Sequence, residues 1–240
     1  MEFGENGAVI DTNRNDRSDM LYEDANYRGY HDGPRSVLGL YRWFRWGFIA
    51  FLALSVVLAA LSLMVVVSPD MFSAIIDEFS YDFTPFDTVM TVASLAYIPV
   101  YIFCIVMTCR MTYRTMRNLH TINSRDVKNS PAMSVGYYFI PFANLVMPPQ
   151  VTSDIYRGTM AATGKVVRNG MISVWWACWL VSSIADRLSF NLGYGIESTA
   201  VSLVAIIVSM IAAFILMRLF RDIAYAQEDL KHGGVADVFA

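Results

Sequence analysis

The stretch "GYYFIPFANLVMPPQ", residues 136–150, decides how the chain is threaded. It lies within residues 132–153, a run of 22 residues without charge that is long enough to cross a bilayer. Pro141, Pro148 and Pro149 remove amide donors from this run and bias the residues before them away from the helical region. Because a membrane-spanning helix must satisfy its backbone hydrogen bonds internally, the run predicts a broken element, re-entrant or interfacial, that returns to the side it came from.

The composition around this stretch is that of a membrane protein. The chain has 240 residues, of which 55% are hydrophobic, and a mean hydropathy of +0.42. Four apolar runs have about the length that a hydrocarbon core of ~30 Å requires, namely residues 46–67, 88–109, 170–185 and 198–217. The sequence therefore predicts an all-α integral membrane fold, with four transmembrane helices, the broken segment and an outer amphipathic helix. The third run is the shortest.

The distribution of Lys and Arg distinguishes four crossings from five. If residues 132–153 spanned, twelve basic residues would lie inside and six outside. If they return, seventeen of the eighteen basic residues are cytoplasmic and Arg187 alone is outside. The positive-inside bias favours four crossings, with both termini in the cytoplasm.

The flanking segments complete the predicted organisation. Residues 1–34 hold eight acids against three arginines and predict a disordered cytoplasmic tail, followed by a membrane domain over residues 35–232. The second and last spans are expected to continue as helices into the aqueous phase, the last as far as Gly233-Gly234, and residues 233–240 are expected to be flexible.

The outer amphipathic helix is predicted from "SPDMFSAIIDEFSYDF", residues 68–83. Its apolar residues recur at helical spacing, and Ser68 and Pro69 suit the start of a helix. Its acidic residues form either a solvated polar face or a site for a cation or a basic partner.

Basic residues next to the spans are candidates for binding lipid headgroups. Arg110, Arg114 and Arg117 follow the second span at i, i+4 and i+7, which places them on one helical face. This face would meet anionic headgroups or an acidic partner helix. The full set of candidate headgroup-binding residues is Arg110, Arg114, Arg117, Arg157, Lys165 and Arg168.

The broken segment holds the candidate ligand-binding or structural motif, which consists of Tyr137, Tyr138, Pro141, Asn144 and Pro148. The Asn144 amide offers two donors and an acceptor. It either completes backbone hydrogen bonds that the prolines leave open or contacts a ligand in a polar pocket.

Three tryptophans, Trp175, Trp176 and Trp179, cluster in the third apolar run near its basic end. Such a cluster indicates an aromatic belt at the membrane interface. The alternative is a stacking platform for an apolar ligand.

Catalytic and cofactor-binding patterns are missing from the sequence. His31, His120 and His232 lie outside the predicted spans, so neither embedded haem nor a catalytic metal site is expected. No phosphate-binding loop, dinucleotide fingerprint or nucleophile elbow occurs. We therefore expect no enzymatic activity, no cofactor, no metal and no nucleic-acid partner.

The broken segment and the end of the second span resemble a known family. "RTMRNL" and "NSPAMSVGYYFIPFANLVMPPQVTSDIYR" are similar to the signature of a bacterial membrane family catalogued as domain of unknown function 4328. The resemblance is carried by Arg114, Asn118, Leu119, Ser130, Pro131, Gly136, Tyr137, Tyr138, residues 139–145, Pro148 and residues 155–157. It implies a multi-pass bacterial membrane protein and brings no known activity, cofactor or catalytic residue.

The chain departs from the family pattern at a few positions. Tyr137 and Tyr138 stand where tryptophan is common, Met133 replaces an aromatic residue, and Asp154 stands near a usual glutamate. These differences change a packing surface more than a chemistry.

Two functions are compatible with the sequence. The first is a non-enzymatic subunit of the bacterial inner membrane that binds anionic lipid headgroups or a partner, which is another membrane protein or a second copy of the chain. The alternative is a channel or transporter-like pathway for a small neutral or lipidic solute, built around Pro99, Tyr138, Pro141 and Asn144.

Overall fold

A computed structural model describes residues 34–68, 85–122, 129–166, 170–193 and 195–236, except the side chains of residues 85–87 and 231–236. This part of the chain is helical, without strands. The helices are α1 (Leu38–Val67), α2 (Pro85–Thr121), α3 (Pro131–Gly136), α4 (Met147–Ala162), α5 (Gly170–Leu192) and α6 (Ile196–Ala236), with a short 3-10 turn at Ala143–Leu145. The predicted outer amphipathic helix, nearly all of the predicted N-terminal tail and Arg168 lie outside the described residues.

Three of these helices are long and apolar enough to cross a membrane: Leu38–Val67, Thr88–Thr121 and Ile196–Leu230. They correspond to the first, second and fourth predicted spans. The third predicted span lies in α5, which continues past Ala185 to Leu192. Asp186, Arg187 and four polar residues after the tryptophans make α5 less apolar than the other three helices.

Both predicted helical extensions are present. α2 continues without interruption past Cys109 to Thr121, and Pro99 lies inside it. α6 continues through Gly233-Gly234 to Ala236, so the helix does not stop at the predicted position. Glycine costs only ~1 kcal/mol in a helix interior, and no proline follows that would force an end.

The helices pack around α6, which contacts α5 and α1, and α1 in turn packs against α2. Aromatic side chains fill the contact between α1 and α6, where the rings of Phe44 and Phe220 lie 5.2 Å apart. Gly47 lets α2 approach α1, because a Cβ at this position would lie 2.6 Å from ring carbons of Phe103. α2 and α5 make no comparable contact, which leaves a gap between them.

The outer surface of the bundle carries large apolar side chains on four helices. A surface this apolar is unusual for a soluble monomer and is typical of helices in contact with lipid. Examples are Val56 and Leu63 on α1, Leu95 and Ile102 on α2, Ile184 and Phe190 on α5, and Val204 and Phe214 on α6.

Candidate functional site

Two buried amide side chains, Asn118 on α2 and Gln227 on α6, connect four elements at one end of the bundle. Asn118 Nδ2 donates to the carbonyl oxygen of Arg35 and to Gln227 Oε1, both at 2.9 Å, and Asn118 Oδ1 accepts from the Arg35 N–H at 3.1 Å. Gln227 Nε2 donates to the Thr115 carbonyl and to Thr159 Oγ1 on α4, both at 3.1 Å. The start of α1, the end of α2, α4 and the end of α6 therefore meet at the same end. We call this group of contacts the amide hub.

Two surface contacts lie at the same end. Ser36 Oγ donates to Glu228 Oε2 at 2.6 Å. Lys165 Nζ, which follows α4, forms an ion pair with Asp229 Oδ2 at 2.6 Å. Lys165 thus lies on the same side of the bundle as the start of α1 and the end of α6.

The broken segment is not a continuous helix, as predicted. Ser130 caps α3 by accepting from the Met133 N–H, and α3 ends at Gly136. Turns and the 3-10 turn follow, and α4 then begins at Met147 with prolines in its first turn. Backbone amides in the first turn of a helix have no acceptor within the helix, so proline removes no hydrogen bond there. The segment exposes large apolar side chains, including Phe139, Phe142, Leu145 and Val146, and Phe142 is 87% exposed.

The five predicted motif residues do not form one cluster. Tyr138 and Asn144 line a partly open cavity, and a place for Asn144 in a pocket was one of its two readings. The Tyr137 hydroxyl donates to Asn129 Oδ1 at 3.2 Å. Pro141 is exposed, and Pro148 is buried at the start of α4. Among the described residues, no hydrogen bond joins the Asn144 side chain to the backbone near the prolines.

The cavity has a volume of about 490 Å³ and fills the gap between α2 and α5. α1 and α6 close its sides, and the broken segment closes one end. Nine of its lining residues are aromatic: Phe48, Phe51, Tyr97, Tyr101, Tyr138, Phe139, Trp175, Trp176 and Trp179. An apolar cavity of this size with a few polar groups is typical of a small-molecule site.

Polar side chains occur along the cavity, with Asn144 near one end, Asp186 near the other, and Thr108, Ser182, Ser183 and Ser209 also in the wall. Trp176 Nε1 donates to the Leu145 carbonyl at 3.1 Å, which fixes this part of α5 against the broken segment, where Asn144 also lines the cavity. Asp186 lines the cavity ten residues further along α5, about 15 Å away at the helical rise per residue. The cavity is thus elongated along the bundle, with an amide near one end and a carboxylate near the other.

Three hydroxyl groups gather where α2, α4 and the broken segment meet. The hydroxyls of Thr112, Thr152 and Tyr138 are buried, and none makes a hydrogen bond of good geometry. They lie close together, since both threonine hydroxyls are near enough to the Tyr138 phenol to lower its pKa, an effect smaller than that of burial. Burial raises the pKa of this phenol, which keeps it in the neutral, hydrogen-donating form. We call this group the hydroxyl cluster.

The tryptophans of α5 line the cavity. Trp175 and Trp176 are 4% and 8% exposed, and the rings of Trp176 and Trp179 are stacked with centroids 4.6 Å apart. The interpretation as an interface belt is wrong for Trp175 and Trp176, since buried rings do not face headgroups. Trp43 and Trp46 at the start of α1, which the sequence analysis passed over, are the exposed tryptophans.

A second concave site, the arginine groove, runs along the outside of α1, α2 and α3. Its volume is about 880 Å³ and its lining residues are Ser36, Leu40, Trp43, Phe103, Met107, Cys109, Arg110, Tyr113, Arg114, Ala132 and Val135. Arg110 and Arg114 provide its charge, and no lining residue is acidic. The strongest charged neighbours of Arg114 are two further cations, Arg35 and Arg117.

The other predicted headgroup-binding residues lie elsewhere. Arg117 is half-buried near Arg114, and Arg157 is exposed on α4. Lys165 pairs with Asp229. The structure therefore brings together Arg110, Arg114 and Arg117 from the predicted set.

Metal ligation has no candidate in the described part of the chain, where no three His, Cys, Asp or Glu side chains form a group that could hold an ion. His120 lies at the end of α2, with Nε2 at 2.9 Å from the Asn129 carbonyl oxygen.

Three features of the site escaped the sequence analysis: the amide hub, the hydroxyl cluster and the place of Asp186 in the cavity wall. A usable signal existed for the first two. Thr108, Thr112, Thr115 and Asn118 recur at helical spacing in an otherwise apolar and basic stretch, which marks a polar stripe on α2. No comparable local pattern identifies Asp186, because its neighbours in the cavity come from other helices.

Comparison with known proteins places these features in a family context. The family model described as "Domain of unknown function (DUF4328)" matches residues 81–225, which is more than half of the chain and includes the broken segment. No curated protein and no solved structure matches the chain.

Proposed function

Since the chain belongs to the DUF4328 family, whose description names no activity, we propose a function from its contacts: a non-enzymatic, multi-pass protein of the bacterial inner membrane that binds an anionic phospholipid in the arginine groove. Both termini of this protein lie in the cytoplasm. α1, α2, α5 and α6 cross the bilayer, and the broken segment is re-entrant from the cytoplasmic side.

The amide hub supports this threading. It joins the start of α1 to the end of α6, and two ends that meet require an even number of crossings. Lys165 lies at that same end, which supports a segment that returns to the side it came from. The exposed Phe139 and Phe142 suit a segment that inserts into lipid, because apolar rings this exposed are unfavourable in water.

The single observation that carries the lipid proposal is the composition of the arginine groove. Arg110 and Arg114 lie one helical turn apart beyond the apolar part of α2, where a phosphate would be level with them. Guanidinium groups bind phosphate oxygens in a bidentate manner. Trp43 and Phe103 offer apolar surface for the acyl chains deeper in the bilayer.

Lipid retention tests the proposal. The protein is purified in a mild detergent, and bound phospholipid is quantified for the wild type, for the double variant Arg110→Gln/Arg114→Gln and for Arg221→Gln. Arg221 is a matched control, because it is an exposed arginine on α6 that pairs with Asp222 of the same helix.

We expect the double variant to lose retained phosphatidylglycerol or cardiolipin while Arg221→Gln keeps the wild-type amount. Equal retention by the double variant and the wild type, or retention of zwitterionic lipid only, would overturn the proposal.

A second candidate function is favoured by the cavity. A pathway for a small neutral or lipidic solute was predicted around Tyr138 and Asn144, and both residues line the cavity. If the protein transports such a solute, Asn144→Ala should change its uptake into reconstituted vesicles. Unchanged flux through the variant would eliminate this pathway.

A further inference from the structure

We propose that the cavity between α2 and α5 binds a lipophilic organic cation, with its charge at Asp186 and its apolar body against the aromatic wall. This site is separate from the arginine groove and does not depend on the lipid proposal.

The carboxylate is the reason for a cation. Asp186 lines the cavity, and no ion pair or hydrogen bond joins it to another described residue. Its charge acts on the phenol groups of Tyr97 and Tyr101 across the cavity. Asp186 is exposed, so its carboxylate is open to a ligand that enters the cavity, and its negative charge attracts a cation to this end.

Aromatic rings beside the carboxylate favour an organic cation. Tyr97 and Tyr101 are stacked with centroids 5.9 Å apart, and Phe51 lies 5.3 Å from the first and 6.3 Å from the second. Cations that are weakly hydrated bind over such ring faces within about 6 Å. Three rings and one carboxylate therefore form one end of the site.

The rest of the cavity suits an apolar body. The stacked rings of Trp176 and Trp179 present a flat surface, and Phe48 and Leu216 add apolar wall from α1 and α6. The volume of about 490 Å³ lies in the range of small-molecule sites. A flat aromatic molecule with one positive charge fits this wall.

Other ligand classes fit the same residues less well. A hard metal ion requires several oxygen ligands, and Asp186 is the one carboxylate among the cavity-lining residues. An anion would be repelled by Asp186, and no Lys, Arg or His lines the cavity. A neutral molecule would make no use of the negative charge of Asp186.

Binding of two fluorescent probes tests the proposal. Ethidium is a flat aromatic cation, and N-phenyl-1-naphthylamine is an uncharged aromatic molecule. Both are titrated by fluorescence anisotropy against the purified protein in nanodiscs of zwitterionic lipid. Three variants are compared with the wild type. Asp186→Asn keeps the shape of the side chain, and Ser209→Phe fills the cavity from α6. Glu197→Gln is the control, because it removes a carboxylate outside the cavity wall.

We expect Asp186→Asn to weaken ethidium binding by roughly threefold or more, as for one charge pair at an exposed carboxylate, and to leave binding of the neutral probe unchanged. Glu197→Gln should bind both probes like the wild type, whereas Ser209→Phe should lose ethidium. The Arg110→Gln/Arg114→Gln variant should bind ethidium normally, which separates this site from the lipid groove.

Three outcomes would overturn the proposal. The first is that the wild type does not bind ethidium, and the second is that Asp186→Asn and the wild type bind it with equal affinity. The third is that Asp186→Asn loses both probes equally, which would indicate a collapsed cavity or a site for neutral molecules.

Discussion

Replacing Asn118 with alanine is expected to separate the helix ends that the amide hub joins. The side chain makes three hydrogen bonds, two with the backbone of Arg35 and one with Gln227. The substitution leaves a donor and two acceptors in buried or partly buried positions without a partner. At about 1 kcal/mol for each lost hydrogen bond, the free energy of unfolding should fall by about 3 kcal/mol.

Unfolding in mixed micelles of a mild detergent and dodecyl sulfate measures this free energy. Asn118→Asp should be as harmful as Asn118→Ala, because the new oxygen would face the Arg35 carbonyl and Gln227 Oε1, both acceptors. Asn191→Ala is the matched control, since that side chain is exposed and makes one hydrogen bond, to the Arg187 carbonyl. It should change the free energy by less than about 0.5 kcal/mol. If Asn118→Ala behaved like this control, the hub would not hold the helix ends together.

Three further substitutions test the packing around the sites. Trp176→Phe removes the hydrogen bond to the Leu145 carbonyl and should cost about 1 kcal/mol, seen as faster proteolysis in the broken segment; an unchanged digestion rate would contradict the contact. Gly47→Leu should lower the thermal unfolding temperature, because its Cβ would meet the Phe103 ring at 2.6 Å, and a wild-type temperature would show that the helices need not be this close. Thr112→Val should be neutral or stabilising in the same assay, since the hydroxyl it removes makes no hydrogen bond of good geometry; a large loss of stability would mean that the hydroxyls of Thr112 and Tyr138 are hydrogen-bonded in the folded protein.

The helices were largely predictable from sequence because their signals are local. Apolar run length identified α1, α2 and α6 as membrane-like helices, and proline placement predicted that the segment between α3 and α4 is not one helix. The end of α5 was placed too early, because Asp186 and Arg187 end the apolar run without ending the helix. The length of an apolar run does not give the length of the helix where the helix continues beyond the hydrocarbon core.

The sites were only partly predictable because they depend on contacts between distant parts of the chain. Asn144 was identified as a candidate for a polar pocket, and it lines the cavity. Trp176 was assigned to the membrane interface because composition cannot distinguish a ring that faces lipid from one that faces another helix. No local sequence signal places Asp186 in the cavity wall, because that place requires that α2 and α5 stay apart.

The threading of the chain is tested most directly by labelling a cysteine at position 165 with a membrane-impermeant maleimide. The three native cysteines are first replaced by alanine, and Lys165→Cys is compared with Glu197→Cys in intact spheroplasts and after permeabilisation. Four crossings predict that Glu197→Cys reacts in intact spheroplasts and that Lys165→Cys reacts only after permeabilisation. Labelling of Lys165→Cys in intact spheroplasts would contradict the return of the broken segment to the cytoplasmic side.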